Sequence, residues 1–282
     1  MSSLSGAAFG PTALFVLLWS SGALFAKWGL AHASAFAFLS LRFALALAVL
    51  AALAAWQRRP LLPRRGTRVH VAATGLVLTG LYSVAYLLAL DRGVTPGVLA
   101  TVLGVQPILT LVLTERPLSM RRFAGLVVAL GGLALVVFDS IAAARFGIAG
   151  IAFALGALAC MTAGTLLQKR LDQAPADVLP LQYAVTLVLC VALLPLQPLR
   201  IEWSMGLVAS LVSMGVVISV VATLLLYRLI RERNLVDVTS LFYLVPAGTA
   251  LLDWLVLGNR LAPAAIAGMA AIVAGLLLVF RR

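Results

Sequence analysis

The sequence predicts an all-α membrane protein: ten transmembrane helices in two inverted five-helix repeats, with both termini cytoplasmic. Three observations lead there. First, 63% of the 282 residues are hydrophobic and 11% are charged, with a mean hydropathy of +1.12. A soluble domain carries about 25% charged residues. Second, the apolar residues fall in runs of the ~20 needed to cross a bilayer, with no trace of the period-2 alternation of a barrel. Third, a motif is written twice. Residues 94–138 hold Pro107, Leu118, Gly125 and Gly132, and residues 238–280 hold Pro246, Leu261, Gly268 and Gly275. The last three pairs are offset by 143 and the prolines by 139. Repetition inside an apolar chain is the architecture of many transporters.

The spans are read at about 8–30, 35–56, 69–90, 94–114, 118–138, 147–168, 178–197, 205–228, 236–257 and 261–280. Span 1 ends near Ala31-His32-Ala33, which resembles a signal-peptidase site. The start, MSSLSGAAFG, has no basic stretch and the apolar run is too long for a signal peptide, so the span is read as retained. The connector QRRPLLPRRGTR (57–68) is basic and proline-rich and reads as a solvated or headgroup-facing loop. Span 5 is the weakest, with sixteen uncharged residues from Phe123, and needs Arg121 and Arg122 to snorkel. The chain is one transmembrane domain, 1–282, dividing near residue 142 into repeats 8–138 and 147–280. Gly22, Leu24 and Lys27 recur as Gly164, Leu166 and Lys169 at offset 142. Five spans per repeat is an odd number, so the second repeat enters the membrane from the opposite side. That geometry sets a substrate site near the midplane between the halves.

Orientation follows from the basic residues. With the N-terminus inside, fifteen lie in cytoplasmic connectors and ends: Arg58, Arg59, Arg64, Arg65, Arg68, Arg116, Arg121, Arg122, Lys169, Arg170, Arg228, Arg231, Arg233, Arg281 and Arg282. Arg92, Arg145, Arg200 and Arg260 lie outside, and Lys27 and Arg42 within spans. The net charge of +12 therefore reflects membrane orientation rather than nucleic-acid binding. Cys160 and Cys190 read as small buried hydrophobes. With only His32 and His70, neither near a cysteine, no metal or other cofactor is expected.

Candidate substrate contacts are the polar and aromatic residues inside spans. Trp19, with Ser20 and Ser21, is too deep for an interfacial anchor; it lines a cavity or packs helices. Tyr82 and Tyr86 share a face, with Ser83 beside them, and a phenol in hydrocarbon needs a partner. Gln106-Pro107 and Tyr243…Pro246 form a repeat pair in spans 4 and 9. Proline frees a backbone carbonyl and kinks the helix, so Pro107 and Pro246 read as static kinks or as gating elements. Gln106 either binds substrate or bonds a neighbouring helix. Thr165 and Met161 in span 6, and Ser219, Thr223 and Tyr227 in span 8, are lining or helix-bonding residues. Arg42 either bonds helix-end carbonyls or attracts a carboxylate, and Lys27 snorkels outward. Every acid falls at a connector or span end except Asp253, near the outer end of span 9. The absence of a deep carboxylate argues against cationic drugs and against simple proton coupling, and favours a neutral, zwitterionic or anionic solute.

LWSSGALFAKWGL (18–30), SLRF (40–43), the Gln106-Pro107 helix, TERPLS (114–119) and the glycine-rich span that follows resemble the EamA-type repeat of the drug/metabolite transporter superfamily. The resemblance covers essentially the whole chain and extends to YddG-type exporters of aromatic amino acids. It implies a ten-helix secondary transporter in a cell inner (cytoplasmic) membrane, a cavity lined mainly by spans 1, 3, 4, 6, 8 and 9, and peripheral spans 5 and 10. Two departures stand out: Gly258-Asn259-Arg260 where the repeat usually carries an acid, and Ala184 where the offset from Arg42 predicts a partner. The expected function is export of small amphipathic metabolites, amino acids first and aromatic ones favoured, by alternating access, with another metabolite or a drug-like solute as the alternative. The expected partners are that small-molecule substrate and the lipid bilayer; the sequence leaves monomer and homodimer open. A lipid-acting intramembrane enzyme would need paired acids, a metal cluster or a nucleophile motif, and none is written here. A membrane sensor that moves no solute is the third reading.

Overall fold

In a computed structural model the chain is described over residues 6–142, 147–257 and 262–281, without the side chains of 6–9, Ala23, Ser140, 252–254, 256 and 257. Asp253 as a side chain, and Arg145, Gly258-Asn259-Arg260 and Leu261 altogether, lie outside the described residues. All ten predicted segments contain helix. Among the described residues, eight helices are long and apolar enough to cross a membrane. The other two segments are Met120–Val136, of 17 residues, and the run beginning at Leu235. Span 7 begins at Pro175, three residues before its expected start, because proline suits a first helical turn whose N–H groups have no partner. Span 8 runs on to Glu232, where Arg228 pairs with Glu232 one turn on and Lys169 Nζ donates to the carbonyls of Ile230 (2.7 Å) and Arg233 (2.6 Å).

Five spans are interrupted, each for a chemical reason. Span 1 breaks at Ser21 between Gly6–Ser20 and Gly22–His32. Ser20 and Ser21 turn their hydroxyls back onto the carbonyls of Val16 (2.7 Å) and Leu18 (2.8 Å), a contact that bends helices. Span 4 is Pro96–Leu103, a turn at Gly104-Val105, then Gln106–Thr114. Pro107 sits in the first turn of the second piece, where the missing N–H costs nothing. Span 9 repeats the pattern as Leu235–Ser240, a tight turn at Leu241–Tyr243, and Leu244–Leu257 with Pro246 in its opening turn. Spans 3 and 8 carry wide π-helical turns at Leu76–Leu81 and Ser213–Ala222. In span 8, Ser219 and Thr223 bond carbonyls five residues back, at Met214 (2.7 Å) and Ile218 (2.9 Å). Ser219, Thr223 and Tyr227 step by four in the sequence, the spacing of one helix face, and the wide turn shifts the register between the first two. One extra residue per turn leaves an all-apolar pattern unchanged, so the slip is invisible in hydropathy.

The core has two main centres. One joins spans 1, 2, 3, 7, 8 and the start of 9 around Phe15, Phe38, Phe43 and Leu211; the other joins spans 4, 5, 9 and 10 around Leu111, Leu126, Tyr243 and Ile272. In the second, spans 5 and 10 meet along a glycine seam. A Cβ on Gly125 would lie 2.7 Å from the Gly275 carbonyl, and one on Gly132 would lie 2.6 Å from that of Gly268. The pairing is antiparallel and reciprocal, each glycine meeting the repeat counterpart of the other. Small residues allow such approach, and dispersion between backbones replaces the hydrophobic effect inside lipid.

Candidate substrate cavity

Between the two core centres lies a cavity of about 460 Å³, within the range of small-molecule sites. Trp19, Arg42, Tyr82, Ser83, Tyr86, Gln106 and Pro246 line it. A smaller pocket adjoins it, lined by Thr165, Tyr183, Thr223 and Tyr227. Trp19, Arg42, Tyr82, Ser83 and Met161 line both, so they stand between the two spaces.

Aromatic residues build one wall. Trp19 and Phe242 meet edge to face with centroids 5.4 Å apart, and buried Phe15 supports both at 5.1 and 5.3 Å. Tyr82 and Tyr86 lie 5.8 Å apart on the facing helix. Their shared face places both phenols on the larger cavity.

Three predicted residues hold the broken helices rather than the lining. Tyr243 is fully buried and donates to the Gly104 carbonyl at 2.6 Å. That carbonyl is released by the break in span 4, where the Ile108 N–H turns to Val105 instead (3.1 Å). Ser20 donates to Val245 (3.1 Å) and its carbonyl accepts from Thr249 (2.7 Å), so the bend in span 1 is tied to span 9. Pro107 is buried in the restarted helix of span 4. Gln106 donates to Thr165 at 3.3 Å, and its buried Oε1 has no hydrogen-bond partner among the described residues. Tyr227 donates to Gln182 (2.7 Å), which donates in turn to Gln168 (2.9 Å).

Arg42 corrects the helix-end expectation: its Nε donates to the Ser219 hydroxyl at 2.9 Å, and capping of a helix end falls to Lys169. Lys27 is exposed, as snorkelling requires. Several lining residues carried no signal in the sequence, among them Pro96, Phe242, Thr249 and Asp139. Asp139, just beyond span 5, is exposed at the rim of the cavity. Span 2, through Arg42, and the end of span 5, through Val136 and Val137, thus join the six expected lining spans.

The two ends of the bundle differ. At one end the cavity lining includes exposed Asp139, beside Pro96, Val136 and Val137 of spans 4 and 5. At the opposite end of these same spans, Arg122 pairs with Glu115 and Asp237, with Asn234 at 3.5 Å. Asn234 completes the cluster by donating to Glu115 at 3.3 Å and capping the start of span 9 at Val236 (2.8 Å). The Arg122 side chain is only 14% exposed, so water screens the cluster weakly.

A multi-pass helical bundle around one largely apolar cavity, with no cluster of metal-ligating side chains among the described residues, has the form of a solute transporter. The chain belongs to the EamA-like transporter family, whose profile matches residues 6–138 and 148–281. It is accordingly a membrane transporter of the drug/metabolite superfamily and not an enzyme. A solved structure superposes on 97% of this chain and 96% of its own with a TM-score of 0.81; at 19% identity the likeness speaks for the fold alone. No curated protein matches the sequence.

Proposed function

We propose that the protein exports small amphipathic metabolites, amino acids and aromatic ones above all, by alternating access across a cell inner membrane. The observation that carries this is the cavity itself: aromatic walls from Trp19, Phe242, Tyr82 and Tyr86 and, among the described residues, one guanidinium. An aromatic side chain finds ring partners there, while Gln106 Oε1 is an acceptor lacking a donor. The reciprocal glycine pairing supports two inverted repeats, since a two-fold axis between antiparallel spans 5 and 10 exchanges Gly125 with Gly268 and Gly132 with Gly275. In this reading the repeats are 8–138 and 147–280.

The distribution of basic residues supports cytoplasmic termini. The Arg122 cluster then closes the cytoplasmic end and the cavity faces outward. In this reading Pro107 and Pro246 keep spans 4 and 9 in two pieces, and rocking of those pieces, joined by Tyr243 and Gly104, opens one end as the other closes. Solute counterflow into proteoliposomes preloaded with unlabelled amino acids tests the proposal, with and without a pH gradient. Exchange of phenylalanine, tyrosine or tryptophan that ignores the gradient is the expected result. Exchange confined to sugars or drug-like solutes would overturn the amino-acid assignment, and a strict need for the gradient would overturn the uncoupled mechanism.

A further inference from the structure

We propose that the cavity recognises its solute through a carboxylate held in the fork of Arg42. This deepens the transporter reading and rests on it.

The argument begins with the place of Arg42. It lies seven residues into the helix Ala35–Trp56, ~10 Å along it at 1.5 Å per residue. A cation at that depth is costly in a membrane protein unless an anion or polar groups meet it. Its Nε donates to the Ser219 hydroxyl at 2.9 Å, and that hydroxyl donates to the Met214 carbonyl at 2.7 Å across the π-helical turn. The Ser219 carbonyl accepts from buried Tyr183. Ser219 is therefore fixed from two sides, and with it the plane of the guanidinium. The Phe43 ring backs that plane, its centroid 5.0 Å from Cζ.

What remains is the fork. Neither terminal nitrogen of Arg42 has a hydrogen-bond or ion-pair partner among the described residues, and their N–H groups match a carboxylate bidentately. Among the described residues the one acid lining the cavity, Asp139, is exposed at the rim. One guanidinium balances one negative charge, so a monoanion is preferred to a doubly charged phosphate, which would leave a net charge in an apolar chamber. Arg42 also lines both spaces. A group that stands between them is within reach of solute from either side, as alternating access requires of its anchor.

The test measures binding by isothermal titration to the purified full chain in detergent, with three probes of similar aromatic body: 3-phenylpropionate, phenylalanine and 2-phenylethylamine. Both carboxylates are expected to bind, and the amine at least ten-fold more weakly than either. Arg42→Gln should lose at least ten-fold affinity for both carboxylates, and Arg42→Lys should recover part of it. Ser219→Ala keeps the charge but frees the fork, and should weaken carboxylate binding several-fold; it carries the test if Arg42→Gln fails to fold. Amine binding equal to that of the acid, unchanged carboxylate affinity in folded Arg42→Gln or Ser219→Ala, or no carboxylate binding at all would each overturn the proposal. Counterflow of a neutral solute by the wild type, in any of those cases, would leave the transporter reading standing while the anion assignment falls.

Discussion

The glycine seam between spans 5 and 10 and the cavity wall built by spans 1, 3, 4, 8 and 9 solve the same problem in opposite ways. Both must satisfy backbone and side chains without water. The seam does so by shape: two unbroken helices, Met120–Val136 and Pro263–Phe280, approach until glycine carbonyls touch the facing chain. The wall does so by interrupted helices whose carbonyls are met by side chains: the freed Gly104 carbonyl by Tyr243, that of Val245 by Ser20, and that of Gly75 by Thr79 at 2.7 Å. A continuous helix packed on glycine has one arrangement. Helices cut at Ser21, Gly104 and Leu241 have joints, and the joints lie around the cavity. In a membrane, irregular backbone is tolerated where protein or cavity meets it, and the wall is where this molecule places it.

The largest effect that can break this contrast is expected at the seam. Gly132→Leu drives a side chain into the Gly268 backbone and should abolish the folded, monodisperse species in size-exclusion chromatography. Gly131→Leu, one residue away with nothing within 4 Å of a Cβ, should leave the elution profile unchanged. Equal damage from both would show that glycine content, not the seam, matters.

Next comes the closed end. Arg122→Ala removes the ties between spans 4, 5 and 9 and should favour opening there by ~1–3 kcal/mol, about 5–150-fold in population. The measure is maleimide labelling of Thr165→Cys, which lines the inner pocket, from the Arg122 side of the membrane. An unchanged rate would mean the cluster is not a gate. An effect of similar size, on stability rather than on gating, is expected where span 9 meets span 4: Tyr243→Phe leaves the Gly104 carbonyl unmet and should cost about 1–3 kcal/mol, seen as a lower thermal midpoint with the fold retained. The smallest is Val188→Ala on the exterior of span 7, 70% exposed, which should change stability by no more than ~0.5 kcal/mol.

The same contrast explains what the sequence made legible. Spans were readable because lipid demands long apolar runs, and the helix Ala35–Trp56 agrees with its expected ends to the residue. The breaks in spans 4 and 9 were readable because proline marks them. The seam was readable as a repeat, but Gly131 and Gly132 look alike in sequence, and only packing separates them. The π-helical turns were not readable, because a register slip within Ser213–Ala222 moves no apolar residue into a polar environment. The contact of Arg42 with Ser219, 177 residues apart, depends on that slip and was out of reach for the same reason. Trp19, Tyr82, Tyr86 and Gln106 stood out as polar or amphipathic groups inside apolar spans, whereas Phe242 looks like any core residue until Trp19 lies against it.

The central claim is that one cavity between the two core centres holds the transported solute and opens at one end at a time. Its most direct test is cysteine labelling at Ala100→Cys, a lining position in span 4, in a chain lacking Cys160 and Cys190. An impermeant maleimide applied from the Asp139 side should modify it, and 3-phenylpropionate or phenylalanine should slow the reaction at concentrations that support counterflow. Labelling that no transported solute slows would place the solute path elsewhere and contradict the account.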